Sequence, residues 1–212
     1  MNRRRFLLWG AGAIGAGALS YAGLGILAAR TPRVERLEMR CEQEGTMPKV
    51  LVAYATRAGT TGEVAEAIGA ELCTAGYMAE VLPAKEVRDL SPYDAVIVGS
   101  PIYVGKWMSD AAEFVTQHQA ALQNMPVAFF LTCLTIHDPT PEDRETVAAY
   151  LQPQRELVTP VAEGHLVGAF VPQQHSLLFR LMMRLMKSPS GDFRDWEAIR
   201  QWAQDVGQAL KV

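Results

Sequence analysis

Between Lys49 and Leu72 the chain reads KVLVAYATRAGTTGEVAEAIGAEL. Three hydroxyls, those of Thr56, Thr60 and Thr61, gather around one glycine, Gly59, between an apolar strand-like run and a segment of helical periodicity. Such a turn brings together hydroxyl donors, backbone amides without a helical acceptor and the positive end of a helix dipole. That is anion-binding chemistry, and a phosphate monoester suits it. More demanding anion motifs are missing from this turn: it carries no G-x-x-x-x-G-K-[ST] and no G-x-G-x-x-G. A phosphate-accepting signalling domain would carry acidic residues after its first strand, where Thr56 and Arg57 stand. An ordinary capped turn would account for one hydroxyl, not three.

Other chemistry is weakly signalled. The cysteines Cys41, Cys73 and Cys133 form no C-x-x-C pair, and His118, His137, His165 and His175 share no metal spacing, so no metal site is expected. Cys133 reads as a small buried hydrophobe rather than a redox thiol. Ser100 has no G-x-S-x-G around it. No side chain stands out as a general base or nucleophile, and no catalytic residue is assigned.

The elements that position the turn alternate. KVLVAYA, MAEVLPA, YDAVIVGSPIY, MPVAFFLTC and GHLVGAFVP read as five strands. Helical patterns fall at Thr61–Ala75, Ser109–Leu122, Pro141–Leu151, Leu177–Met186 and Asp195–Leu210. Strands alternating with helices predict an α/β fold, a doubly wound five-stranded parallel sheet, with ligands beyond the C-terminal ends of its strands.

The whole chain has 212 residues, 49% hydrophobic and 20% charged, with a net charge of −3. This allows one α/β domain with a full core. No basic stripe occurs outside the N-terminus, so nucleic acid is not an expected partner. Arg3–Arg5 precede an uncharged run, Phe6–Ala29, of 24 residues, long enough to cross a membrane as a helix. RRRFLLWGAGAIG is similar to a twin-arginine export signal. The cleavage site near Ala28 and Ala29 is poor, which leaves an uncleaved anchor open. Residues 1–30 are expected to be a signal or membrane anchor, 31–47 a polar linker and 48–212 the folded domain. The domain is expected at the membrane, on its extracytoplasmic face if the export reading holds and on its cytoplasmic face otherwise.

VAYATRAGTTGEVAEAI resembles the phosphate loop of the flavodoxin family, and VGSPIYVGKW and TCLTIHDP fall where that family places its two ring-flanking loops. The resemblance implies a flavodoxin-like fold that binds FMN. It implies cofactor contacts at Thr56, Arg57, Ala58, Gly59, Thr60 and Thr61 for the phosphate. At the ring it implies Ser100, Pro101, Ile102, Tyr103, Val104, Gly105, Thr132, Cys133, Leu134 and Thr135. Tyr103 is the first choice for stacking and Trp107 the second, with packing beneath the loop the other reading of Trp107. His137 reads as solvent-facing.

The C-terminal part, GAFVPQQHSLLFRLMMRLMKSPSGDFRDWEAIRQWAQDV, is similar to the bacterial flavodoxin-type, menaquinone-dependent protoporphyrinogen oxidases, with an inserted basic-apolar helix before Asp195-Trp196-Glu197. The resemblance implies an FMN-dependent oxidoreductase or electron-transfer protein whose partners are a redox donor and acceptor, a porphyrinogen or a quinone among them. The alternatives are a membrane-anchored flavodoxin-type carrier and a flavin-free binding module. Within the inserted helix Arg180, Arg184 and Lys187 recur at three-to-four spacing among Leu and Met. That pattern suits a membrane-surface or quinone-approach helix over 177–187, arginines that pair with the carboxylates of a porphyrin, or an amphipathic helix packed on the sheet.

Overall fold

The computed structural model describes residues 37–41 and 47–211. The expected signal or anchor over 1–30, and most of the expected linker, lie outside the described residues. Among the described residues no helix is long and apolar enough to cross a membrane.

Among the described residues nine strands form in chain order: β1 (Met39–Arg40), β2 (Lys49–Tyr54), β3 (Met78–Pro83), β4 (Ala95–Tyr103), β5 (Lys106–Trp107), β6 (Val127–Cys133), β7 (Ala162–Val167), β8 (Ala169–Phe170) and β9 (Gly191–Asp192). The helices are α1 (Thr60–Thr74), α2 (Ser109–Gln117), α3 (Gln119–Leu122), α4 (Pro141–Ala149), α5 (Gln152–Arg155), α6 (Leu177–Leu185) and α7 (Trp196–Leu210). The five expected strands pair in parallel in the order β3-β2-β4-β6-β7. This is the flavodoxin-like order, with its topological switch between β2 and β4.

Alternation along the strands divides the core between two faces. Leu51, Ala53, Val96, Val98, Phe129 and Leu131 pack with Phe114 and Val115 of α2 and with Val147. Val50, Val52, Tyr54, Ile97, Ala128 and Phe130 pack on the other face with Val64, Ile68 and Leu72 of α1 and with Ile199, Ala203 and Val206 of α7. Each fully buried Val, Leu, Ile or Phe contributes about 1.5–3 kcal/mol, so docking the helices outweighs their own propensities. Gly99 of β4 faces Phe130 of β6, and a Cβ there would lie 1.9 Å from the ring.

Four features depart from the sequence reading. Met39–Arg40, inside the expected linker, form an antiparallel edge strand on β3. Cys41 and Cys73 form a disulfide that ties this edge to the far end of α1. The helix expected over Ser109–Leu122 breaks at His118, where φ is −103°. The fifth strand breaks at Gly168, and its continuation β8 leaves the sheet to pair with β9. The linker is held as well by Tyr54, whose hydroxyl accepts from the Leu37 amide at 3.0 Å and donates to the Leu37 carbonyl at 2.8 Å.

Val171–Pro189 belong to a separate compact unit. Within it Ser176 caps α6, and Arg180 donates to the carbonyls of His175 and Gln173, each at 2.9 Å. Leu177, Leu178, Leu181, Leu185 and Met186 are exposed.

On β3 the buried Glu80 is paired with Arg40 and with Lys49, the latter at 2.9 Å. Burial alone would raise its pKa, but the hydrogen bonds from Lys49, Arg40 and Tyr93 outweigh burial and hold it below the usual 4.5. Burial, and then the bond to Glu80, push the Tyr93 hydroxyl up to about 12.

Two outcomes are expected. Gly99→Ala overpacks the β4–β6 contact and destabilises by about 1–3 kcal/mol, partly recovered by adding Phe130→Leu; urea unfolding measures both. Glu80 has a depressed folded pKa, so its contribution is full above 4.5 and is lost as pH falls through the lower folded value. Unfolding free energies between pH 6 and pH 3 should therefore fall less steeply in Glu80→Gln than in the native protein.

Candidate functional site

The C-terminal ends of β2, β4 and β6 carry the three loops at the switch point. The first leaves β2 with the Ala55 amide still bonded to the Gly99 carbonyl at 2.8 Å. The Thr56 hydroxyl then accepts from the Gly59 amide at 2.9 Å and closes the turn. Gly59 holds φ at 91°, a left-handed backbone that favours glycine, and serves as the N-cap of α1. No side chain caps this helix end. The Gly59 carbonyl takes the amides of Gly62 and Glu63, at 2.8 and 3.2 Å. The amides of Thr60 and Thr61 are thus left at an open, positive helix end.

The side chains of this loop take different directions. Thr56 and Thr60 are half-buried, Ala58 and Gly59 buried, and Arg57 exposed. No other described residue bonds the Thr60 hydroxyl. Thr61 is only 1% exposed, and its hydroxyl meets that of Thr132 at 3.0 Å. This buried contact joins the start of α1 to the end of β6.

The second loop is a hairpin. β4 turns back through Val104 and Gly105 into β5, with Ile102 opposite Trp107 and Tyr103 opposite Lys106. Both turn residues have positive φ, 51° at Val104 and 73° at Gly105. A two-residue turn of this kind matches the twist of its strands, but a β-branched residue there is strained. Val104 is nevertheless exposed at the tip. Buried Ser100 braces the hairpin: its hydroxyl donates to the Pro101 carbonyl and accepts from the Met108 amide, each at 2.9 Å. Tyr103 is half-buried, and the Arg57 guanidinium lies 4.5 Å over its ring. Trp107 packs beneath the hairpin, edge-on to Phe129 at 5.5 Å.

The third loop follows β6. Thr132 and Cys133 are buried, Leu134 is half-buried and Thr135 is exposed. The Leu134 carbonyl accepts from the His137 amide at 3.0 Å. His137 is exposed on one side and lies against Phe193 at 4.1 Å on the other.

The structure thus brings all three sequence-predicted segments to one end of the sheet. It adds a fourth, Gly191–Trp196, that sequence reasoning missed. Arg194 from this segment donates to the Thr60 carbonyl at 3.1 Å and to the Glu63 carboxylate at 2.8 Å. It also holds Asp192 through two bonds of 2.8 and 2.6 Å. Burial alone would lower the Arg194 pKa, but the bonds to Asp192 and Glu63 prevail and raise it. The same bond holds the Asp192 carboxyl below its ordinary range. The one sequence sign of this residue is an arginine directly before the Asp195 that caps α7.

Comparison with known proteins agrees with this geometry. The curated relatives include the protein named protoporphyrinogen IX dehydrogenase [quinone] of Escherichia coli K12, 27% identical over 172 residues, which cover 74% of this chain and 94% of that protein. A protein of the same name from Leishmania major is 26% identical, with 74% of each chain covered. Among solved structures, a flavodoxin of Streptococcus pneumonia TIGR4 superposes with a TM-score of 0.51 at 18% identity, covering 77% of this chain and 99% of the other. An archaeal flavodoxin gives 0.50 at 18% identity, with 77% and 99% covered. The family model described as "Flavodoxin domain" matches residues 51–196, and the chain belongs to that family.

Proposed function

We propose that this chain is an FMN-binding oxidoreductase that takes electrons from a reduced donor and delivers them to an acceptor at a membrane. Its sharpest form is a quinone-linked porphyrinogen dehydrogenase. One observation carries the reading: an uncapped helix N-terminus, opened by Gly59, lies at the switch point with Tyr103 and the Thr132–Thr135 loop on the same end of the sheet. The residues fit a flavin phosphate. The Gly59 backbone leaves room for a close approach, and Arg57, the Thr60 hydroxyl and the Thr60 and Thr61 amides supply donors. The carboxylate in the first turn of α1, Glu63, is paired with Arg194.

When bound, FMN supplies the electron-transfer chemistry. The chain's residues bind, orient and shield. Thr56 fixes the turn, Thr60 and the α1 amides hold the phosphate, and Tyr103 and the Thr132–Thr135 segment flank the ring. The curated relatives' names support the dehydrogenase over a simple carrier.

The same reading puts the domain outside the cytoplasm, held by the run Phe6–Ala29 and by α6. The disulfide between Cys41 and Cys73 supports it, because such bonds persist in oxidising compartments. The exposed Leu and Met residues of α6, beside Arg184 and Lys187, suit an anionic lipid surface.

Full-length protein purified in detergent should carry a flavin absorbance band, restored by added FMN after stripping. Thr60→Glu should weaken FMN binding at least ~100-fold, because two like charges would share one small site. Colourless protein that binds no FMN on titration overturns the reading. Quinone-dependent oxidation of a porphyrinogen by the flavin-loaded protein tests the sharper form. For the location, protein denatured without reductant should expose one reactive thiol, Cys133, and three after reduction. Three thiols before reduction would count against an oxidising compartment.

A further inference from the structure

Arg194 stands immediately before the cap of α7, but its side chain works at the other end of the domain's sequence. It is 6% exposed. Its Nη1 reaches the Thr60 carbonyl and the Glu63 carboxylate, its Nε and Nη2 grip Asp192, and its guanidinium lies 4.5 Å over the Trp196 ring. A planar fork engaged along its edges and on one face has little freedom left.

Two consequences follow for the turn between β2 and α1. A trans peptide sets its carbonyl and its N–H in opposite directions. By holding the Thr60 carbonyl, Arg194 therefore fixes the direction of the Thr61 amide, one of the donors left open at the start of α1. The second consequence concerns charge. Glu63, in the first turn of α1, is favoured by the helix dipole, but a carboxylate there competes with any anion for the same positive end. Arg194 offsets that charge at 2.8 Å. The neighbouring Phe193 lies on His137, so the segment also touches the third loop.

We propose that Arg194 is a positioning residue for the phosphate loop: it orients the Thr61 amide and, although shared with Asp192, offsets part of the Glu63 charge, and so makes the loop prefer a phosphorylated flavin over an unphosphorylated one. The proposal rests on the FMN reading and adds to it a selectivity that depends on a residue outside the loop.

The test compares FMN with riboflavin, titrated into the stripped full-length protein and followed by flavin fluorescence. Arg194→Gln should weaken FMN about tenfold and leave riboflavin within about twofold, since only FMN carries the charge the loop reads. Glu63→Gln alone should tighten FMN by about threefold and leave riboflavin unchanged. Adding Glu63→Gln to Arg194→Gln should recover much of the lost FMN affinity, as coupled charges in one network do. Equal effects on both flavins, or no recovery in the double variant, would make Arg194 a structural staple and overturn the proposal. Melting curves accompany each variant. If Arg194→Gln does not fold, Glu63→Gln decides alone, and an unchanged FMN affinity there overturns the proposal. Native protein that binds FMN while the variants bind it equally well defeats this proposal only. Native protein that binds neither flavin defeats the FMN reading as well.

Discussion

An α-helix that begins without a side-chain cap leaves amides that must find acceptors elsewhere. At the switch point α1 begins in this way, and much of the local structure holds its end open. Gly59 takes the cap position with a left-handed backbone and no side chain to close the end. Thr56 turns its hydroxyl inward to the Gly59 amide, which stiffens the turn without covering the amides that follow. Thr61, which a cap-like role would have turned outward, is bonded to Thr132 across the sheet instead. The helix is thus anchored by its buried face while its dipole end remains uncapped.

The surrounding charges follow from that constraint. An open dipole end attracts carboxylates, and Glu63 supplies one. Arg194, a cation from the last part of the chain, pairs with that carboxylate and with Asp192. Arg57 is exposed and lies over Tyr103, whereas the Arg194 side chain is buried. The strained φ of Val104 belongs to the same compact geometry: two residues return β4 into β5, while Ser100 braces the hairpin from below.

Much of this was legible in the sequence. The strand and helix alternation gave the parallel sheet, because buried parallel strands are continuous apolar runs and their helices keep a 3.6-residue period. Gly59 and the threonines marked the anion turn because those residue types have few other reasons to cluster. What escaped depended on partners far apart in the chain. Arg194 and the Thr60 carbonyl are separated by 134 positions, and no local pattern announces such a bond. The edge strand at Met39–Arg40 is two residues long, too short for any periodicity. Cysteine spacing alone could not pair Cys41 with Cys73. The fifth strand read as continuous because nothing in GHLVGAFVP shows that residues after Gly168 find a different partner.

The disulfide has a topological consequence. Its two cysteines are 32 positions apart, and the chain between them contains β2, the turn after it and most of α1. The turn between β2 and α1 is therefore part of a closed covalent ring. Closing a ring of this size restricts the unfolded chain by about 3–4 kcal/mol in the loop-entropy view. It also means that a protease cutting once inside the ring does not divide the molecule. The severed ends stay tethered to each other through sulfur.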